Sequence, residues 1–396
     1  MKKQNSLYLF ALGVTGKGIS GGDRIFIEFA RRWSKKYQLK IFTSSEGRRL
    51  CQLQKIPQSI VLSSLNNSPL ESYFILNWLY KVISGFVLGL TLNLPENVYL
   101  YSASEFWMDS IPALVLKLRY TKAKWIAAWF QTAPNPLKGF SEGKRQATYR
   151  LNSFLYWLVQ LPVKPLISNL ADFVLVNNEE EKVQFPSLNQ KGKAIVVLGA
   201  VPLEDIQKFL KLRGKRLGVK TYEAVFQGRF HPQKGVVELV EIWKRVVEKR
   251  PGAKLAMIGN GPLMTEVKSL ISKYGLGKNV KLLGYLFDGP EKFGVFAESK
   301  LVVHPAYYDS GGMAAAEAMA FGIPAVGFNL KSFESYYPHG MLKVKIGDKR
   351  AFADKILYLL ENYEFRERLG RKAGETIQND WSWDKRAQYL LEKIGI

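Results

Sequence analysis

The chain has 396 residues, 47% of them hydrophobic and 23% charged, with 33 Gly and 17 Pro. That composition excludes disordered, collagen-like and coiled-coil classes, and the length is enough for two domains. Lys and Arg number 57 against 34 Asp and Glu, a net charge of +23 that is present in both halves and favours an anionic partner: nucleic acid, a phosphorylated substrate or an acidic membrane surface.

The single cysteine, Cys51, excludes an internal disulfide and a thiolate metal cage, and His231, His304 and His339 are too scattered for a zinc cluster. A reducing cytosol is the expected compartment. At the start, Lys2 and Lys3 precede an apolar run over 7–12 that is too short for a signal segment and reads as a first buried strand. A glycine loop follows, with glycines at 13, 16, 18, 21 and 22. It opens a helix whose Ile25, Phe26, Phe29, Ala30 and Trp33 share one side. Strands are expected over 39–43, 98–102, 125–129 and 173–176.

Residues 73–92 approach the ~20 apolar residues that cross a bilayer, but they contain Asn77 and Lys81 and end near Pro95. They read as a packed helix or a helix lying in the membrane interface. The stretch from Lys144 and Arg145 through Arg150 to Val159 joins basic to aromatic and apolar residues, as a helix on an anionic bilayer does, or as a partly buried helix with a solvated end does. A polar, basic stretch over 208–220 is expected to link the two halves. Beyond it, strands over 222–226, 254–258, 280–283, 301–304 and 325–328 alternate with helices over 236–249 and 263–274. The alternation predicts an α/β fold of βαβ units on doubly wound parallel sheets.

The strongest local signal runs from Asp309 to Pro324. Its Ala- and Met-rich centre favours a helix starting near Gly312, with Gly322 as a stop and Pro324 barring continuation. Free N–H groups and the positive dipole end there suit a phosphate, and Asp309 and Glu317 flank it as acceptors for hydroxyl groups. Sugar hydroxyls on either side of a diphosphate are what a nucleotide sugar offers. Arg229 and Lys234, on a loop after the first strand of this half, can both reach one diphosphate, the first as a fork and the second as a point charge. Gly259 and Gly261 end a strand and suit either the close approach of a ligand or a tight turn. Gly16, Gly18 and Gly21 match a dinucleotide fingerprint in spacing, but the second strand ends in Thr43, Ser44 and Ser45 where an NAD site wants an acid.

Jointly these residues resemble the retaining, nucleotide-sugar-dependent glycosyltransferases of GT-B architecture, the glycosyl transferase group 1. The likeness runs from Gly21 and Gly22 through Arg229, Lys234, Gly259 to Pro262 and the acid-x7-acid segment to Trp381, Ser382 and Trp383. It implies two facing Rossmann-like domains, an acceptor-side domain over 1–200 and a donor domain over 201–380, with a helix over 381–396 returning to the first. By position, Arg229 and Lys234 would neutralise the donor diphosphate and Gly312 and Met313 would give it backbone N–H groups. Glu317 would bind the ribose, Asp309 the sugar, Gly284 and Tyr285 the base, and Ser310 and Gly311 complete that loop. Gly22 would meet the phosphate from the first domain. The family mechanism is front-face displacement with retention, in which the departing phosphate helps to deprotonate the acceptor. No cofactor or metal is implied beyond the nucleotide sugar as substrate.

Two departures stand out. The family usually has Glu at Asp309 and an aromatic at Gly311, and it places a His where this chain has Gln131, a side chain that can share hydrogen bonds but cannot take a proton. Glu105 and Asp109, after a strand end, are expected to contact an acceptor hydroxyl, or Asp109 to cap a helix. Trp107, Trp125 and Trp129 read as core or cleft wall. The overall expectation is transfer of a hexose-type sugar to a lipid-linked glycan or glycolipid, peripherally at the inner face of the cell membrane. A soluble sugar acceptor and an inactive GT-B scaffold are the alternatives, and no nucleic-acid module is present.

Overall fold

The computed structural model describes residues 6–14, 19–65, 73–137, 139–140, 150–197, 199–214 and 220–396. Gly16, Gly18 and the basic segment 144–149 lie outside the described residues. The chain divides into two compact units, one of residues 1–133, 154–199 and 383–396, the other of 134–153 and 200–382.

The first unit is built on β1 (Ser6–Ala11), β2 (Gln38–Thr43), β3 (Val61–Ser64), β4 (Val98–Ser102), β5 (Lys124–Trp129), β6 (Phe173–Val176) and β7 (Ala194–Val196). They form one parallel sheet in the order β3-β2-β1-β4-β5-β6-β7. The second unit repeats the scheme with β8 (Tyr222–Gln227), β9 (Leu255–Ile258), β10 (Val280–Gly284), β11 (Ser299–His304), β12 (Ala325–Phe328) and β13 (Met341–Val344), in the parallel order β10-β9-β8-β11-β12-β13. Both sheets are doubly wound, and the strand order reverses between β1 and β4 in one and between β8 and β11 in the other.

Every expected strand is present within two residues of its expected ends. The three that the sequence did not signal, β3, β7 and β13, are all edge strands. A central parallel strand is covered on both sides and reads as a continuous apolar run, whereas β3 is Val-Leu-Ser-Ser with no buried residue. Trp125 and Trp129 are fully buried core residues of the first unit.

Helix Gly21–Trp33 starts in a capping box of Ser20 and Asp23 and buries its expected apolar side. It also buries Glu28, which pairs with Arg31 and Arg32 at 2.6 Å each. The last helix, Trp383–Ile394, completes this same unit, while 381 and 382 group with the second. Trp383 meets the Phe29 ring edge-on at 6.1 Å, Trp33 Nε1 donates to the Ala387 carbonyl at 3.2 Å, and Arg32 pairs with Asp384 at 3.0 Å. The break between the units differs from the expected linker over 208–220. Helix Leu203–Arg213, anchored by buried Ile206, runs through the first part of that stretch, and 215–219 lie outside the described residues. A polar, basic sequence there is the solvated side of a helix. Residues 134–153 also group with the second unit, where the Phe140 ring packs on His231 at 5.2 Å.

Candidate functional site

In an open parallel sheet, ligands bind beyond the carboxyl ends of the strands at the point where the order reverses. In the second unit these strands are β8 and β11, and the loops that leave them carry Arg229, Lys234 and Asp309. Gly235 has a left-handed φ of +63°, and a Cβ there would lie 2.0 Å from the Pro305 carbonyl oxygen, so only glycine lets the two loops lie together. Tyr307 N–H donates to the Gln233 carbonyl at 2.8 Å across the same seam.

This close approach sets Lys234 Nζ 2.5 Å from Asp309 Oδ2, and His304 Nε2, at the end of β11, 2.9 Å from the same oxygen. Asp309 Oδ1 accepts from the N–H of Gly312 at 3.1 Å and of Gly311 at 3.3 Å. Burial alone would raise the Asp309 carboxyl. The Lys234 ammonium and the His304 hydrogen bond outweigh it and hold the group well below the usual carboxylate range. Gly312 is left-handed at φ +61° and leads into helix Met313–Met319, whose first bond inside the chain runs from Ala315 N–H to the Gly312 carbonyl at 2.8 Å. The amides of Met313 and Ala314 precede that bond and point out along the helix axis. Ser310 and Met313 are half-exposed at the mouth of this loop, and Arg229 is exposed.

One turn into the helix, Glu317 Oε2 accepts from Lys292 Nζ at 2.7 Å and from Gln227 Nε2 at 2.9 Å. Lys292 is 2% exposed and also pairs with Asp288. Burial opposes its charge, but the Glu317 and Asp288 carboxylates prevail and hold its ammonium above the ordinary range. The two donors share one carboxylate oxygen and so fix the orientation of the group. The other oxygen, Oε1, remains to accept a hydroxyl.

The remaining donor-side glycines serve the packing of loop on loop. Gly259, at φ +140°, would place a Cβ 1.9 Å from the Gly228 carbonyl oxygen, and its N–H donates to the Gly284 carbonyl at 2.7 Å. Gly284 turns the chain at φ +69° into Tyr285, whose ring meets Phe287 edge-on at 5.0 Å. Gly259→Ala is expected to cost at least about 1–3 kcal/mol from backbone strain alone, read as a lowered denaturation midpoint. At Gly311 the structure explains the missing aromatic: a Cβ there would lie 2.6 Å from the Tyr336 ring, which fills the space from another element.

The other four expected site residues belong to the first unit. Gly22 lies in the first turn of its helix, with a Cβ position 3.4 Å from the Phe130 ring. Gln131 follows β5, and its carbonyl accepts from Gln160 Nε2 at 2.7 Å and the Tyr156 hydroxyl at 3.1 Å. Glu105 accepts from that same hydroxyl at 2.7 Å, so it acts on the Gln131 loop through Tyr156. Asp109 does not cap its own helix. It is 2% exposed and accepts from Gly13 N–H at 2.8 Å and Ser104 Oγ at 2.5 Å, tying together the loops that leave β1 and β4.

Burial pushes the Asp109 carboxyl up to about 7. The folded chain therefore holds a proton that the unfolded chain loses near pH ~4, and this group's contribution to stability falls as pH rises from about 4 to about 7, then levels off. Asp109→Asn is expected to flatten that slope, seen as a difference between wild-type and variant denaturation midpoints that grows across this window.

Sequence reasoning missed Gln227, Asp288 and Lys292, and it read His304 only as one of three scattered histidines. Lys292 had a signal: it is the one cation inside helix Pro290–Ala297, on the same side as buried Phe296, whose ring lies 5.8 Å from its ammonium. Among the described residues no three His, Cys, Asp or Glu are grouped to hold a metal ion.

Residues 207–376 match the model of the family Glycosyl transferases group 1. Among curated proteins the chain is similar to an uncharacterized glycosyltransferase of Methanocaldococcus jannaschii, 28% identical over 210 residues, which are 50% of this chain and 47% of that protein. It is similar also to phosphatidyl-myo-inositol mannosyltransferase of Mycobacterium leprae, 25% identical over 300 residues, 74% of this chain and 77% of the other. Alignment with the two Methanocaldococcus relatives spans about half of their length. Among solved structures, Anabaena HepE in complex with UDP and glucose superposes with a TM-score of 0.71 at 14% identity over 99% of both chains, which establishes the shared fold. The second unit thus carries a match to the group 1 glycosyltransferase family, and the two Rossmann-like parallel sheets have the GT-B fold.

Proposed function

We propose that this protein transfers a hexose-type sugar from a nucleotide diphosphate sugar to an acceptor hydroxyl, with retention of anomeric configuration. The observation that carries the reading is the arrangement at the β8/β11 switch point: Lys234, His304 and the Gly311 and Gly312 amides all within hydrogen-bond reach of Asp309, with Glu317 oriented one turn deeper. In this reading Arg229, Lys234 and the amides of Gly312 and Met313 take the diphosphate. Glu317 Oε1 accepts a ribose hydroxyl, and Gly284 and Tyr285 meet the base. Asp309 accepts a sugar hydroxyl, Ser310 and Gly311 line its loop, and Gly259 allows the approach.

The bond from the sugar C1 to the β-phosphate oxygen breaks while the acceptor oxygen bonds C1 from the same side. The acceptor proton passes to the departing phosphate. Neutralisation of the leaving diphosphate by Arg229 and Lys234 makes the reaction metal-independent, and chelation of divalent ions is expected to leave the rate unchanged.

The acceptor in this proposal is a lipid-linked glycan or glycolipid of cell-envelope or exopolysaccharide synthesis, reached from the inner face of the membrane by a peripherally bound protein. The likeness to the mannosyltransferase acting on phosphatidyl-myo-inositol supports it. Incubation of the purified protein with a panel of nucleotide sugars, and with either a detergent-dispersed membrane lipid extract or soluble sugars, tests it. Sugar transfer to lipid, with the donor's anomeric configuration kept in the product by NMR, is the expected result. Transfer to soluble sugars alone would place the acceptor elsewhere, and no transfer or donor hydrolysis would leave the scaffold reading.

A further inference from the structure

Helix Phe74–Thr91 is built inside out. Its one charged residue, Lys81, is 4% exposed and points inward, where Nζ donates to Glu46 Oε2 at 2.8 Å and to the Val14 carbonyl at 3.1 Å. Its glycines also point inward. A Cβ on Gly85 would lie 3.0 Å from the Met108 carbonyl oxygen, and one on Gly89 would lie 2.8 Å from Val115 Cβ, so the helix rests on Trp107–Arg119 through its smallest residues. The large apolar side chains face out. Ile75, Leu79, Ile83, Phe86 and Leu90, spaced three and four apart, form one exposed stripe, with Ile75 70% and Ile83 61% exposed.

A water-soluble helix turns its charge out and its leucines in; this one does the reverse. Helix Arg150–Gln160 meets the same Trp107 that helix Phe74–Thr91 packs on. The Trp78 ring packs on Trp107 at 5.2 Å, and Trp107 Nε1 donates to the Val159 carbonyl, which places exposed Leu155 and Leu158 on a neighbouring element.

We propose that this stripe is the surface by which the protein docks on an anionic lipid bilayer, lying in the interface rather than crossing it. The inference rests on the peripheral, lipid-directed reading above and names the surface responsible. Of the cations on helices Phe74–Thr91 and Trp107–Arg119, Lys81 is buried against Glu46 and Lys117 is paired with Asp172, which leaves Arg119 as the exposed one. Exposed Arg119 caps the end of the stripe, donating to the carbonyls of Gly89 at 2.7 Å and Leu92 at 3.0 Å, where a lipid phosphate can meet it. A chain with net charge +23 is drawn to an anionic surface and repelled by its own copy, which sets a bilayer ahead of self-association as the occupant. An interfacial helix seats its apolar side about 5–10 Å into the headgroup boundary. No helix among the described residues is long and apolar enough to cross a membrane.

The test is flotation of the full chain with vesicles of phosphatidylglycerol and phosphatidylethanolamine, beside the variant L79S/I83S/F86S. All three side chains are exposed, so the variant is expected to keep the wild-type melting temperature. The wild type is expected to float, and the variant to lose at least ten-fold in bound fraction. As a second readout, Cys51 is the sole cysteine and is buried, so I83C carries a single environment-sensitive fluorophore. Its emission should rise and shift to the blue on adding these vesicles. A wild type that stays with the soluble fraction, or a variant that floats equally well, would overturn the proposal. So would a lipid-free dimer that the variant abolishes, which would make a second copy the occupant. Nucleotide binding is read separately, so failure here leaves the donor-site reading standing, and the converse also holds.

Discussion

Lys292→Met is expected to lower the unfolding free energy by ~3–5 kcal/mol, because it leaves the carboxylates of Glu317 and Asp288 facing each other without the buried cation between them. For a domain of this size the loss corresponds to a fall of about 6–20 °C in melting temperature. The same variant is expected to abolish nucleotide-dependent stabilisation, since Glu317 loses the donor that fixes one oxygen and leaves the other for a ribose hydroxyl. The double variant Lys292→Met/Glu317→Gln separates the two effects. Neutralising the stranded carboxylate should recover part of the stability and none of the nucleotide binding. Full binding by the double variant would show that Glu317 is not a nucleotide contact.

Lys234→Ala is expected to reduce kcat/KM by roughly 10- to 150-fold, the value of ~1.5–3 kcal/mol for one charge-assisted hydrogen bond to the developing diphosphate. Arg229→Ala should fall in the same range. The two differ in their effect on the fold. Exposed Arg229 can go without loss of stability, whereas Lys234 neutralises a carboxylate whose side chain is almost wholly buried, so its removal also destabilises the second unit. Asp309 has a depressed folded pKa, so its contribution is fully present above the usual carboxylate range and is lost as pH falls below it. In Lys234→Ala the carboxyl moves back toward its ordinary value, and acid unfolding should begin at a higher pH than in the wild type. Equal acid midpoints in the two proteins would contradict the ion pair as the source of the shift.

Much of this architecture is legible in the sequence because parallel strands covered on both sides declare themselves as uninterrupted apolar runs. Val98–Ser102 and Ala325–Phe328 are read to the residue. The strands that stay silent are edges for the same reason: Val61–Ser64 has one partner and no buried residue, so nothing selects an apolar run there. Site residues beside glycines in loops that leave strands, such as Lys234 and Asp309, are visible because loop geometry and charge coincide in the sequence. Partners that meet only in space are not. Lys292 and Gln227 reach Glu317 from 25 and 90 residues away, and His304 sits in a strand where a buried ring reads as core. Gly311 was legible as a departure from the family pattern, but its compensation by Tyr336 required the fold.

The central claim, that the second unit holds a nucleotide diphosphate sugar through the Lys234, Asp309 and Glu317 cluster, is tested most directly by thermal stabilisation. UDP, GDP and ADP and their sugars would be titrated against the wild type and Glu317→Ala. The account predicts a concentration-dependent rise in melting temperature for one base that disappears in the variant. No shift with any of these nucleotides, or a shift of equal size in Glu317→Ala, would contradict it.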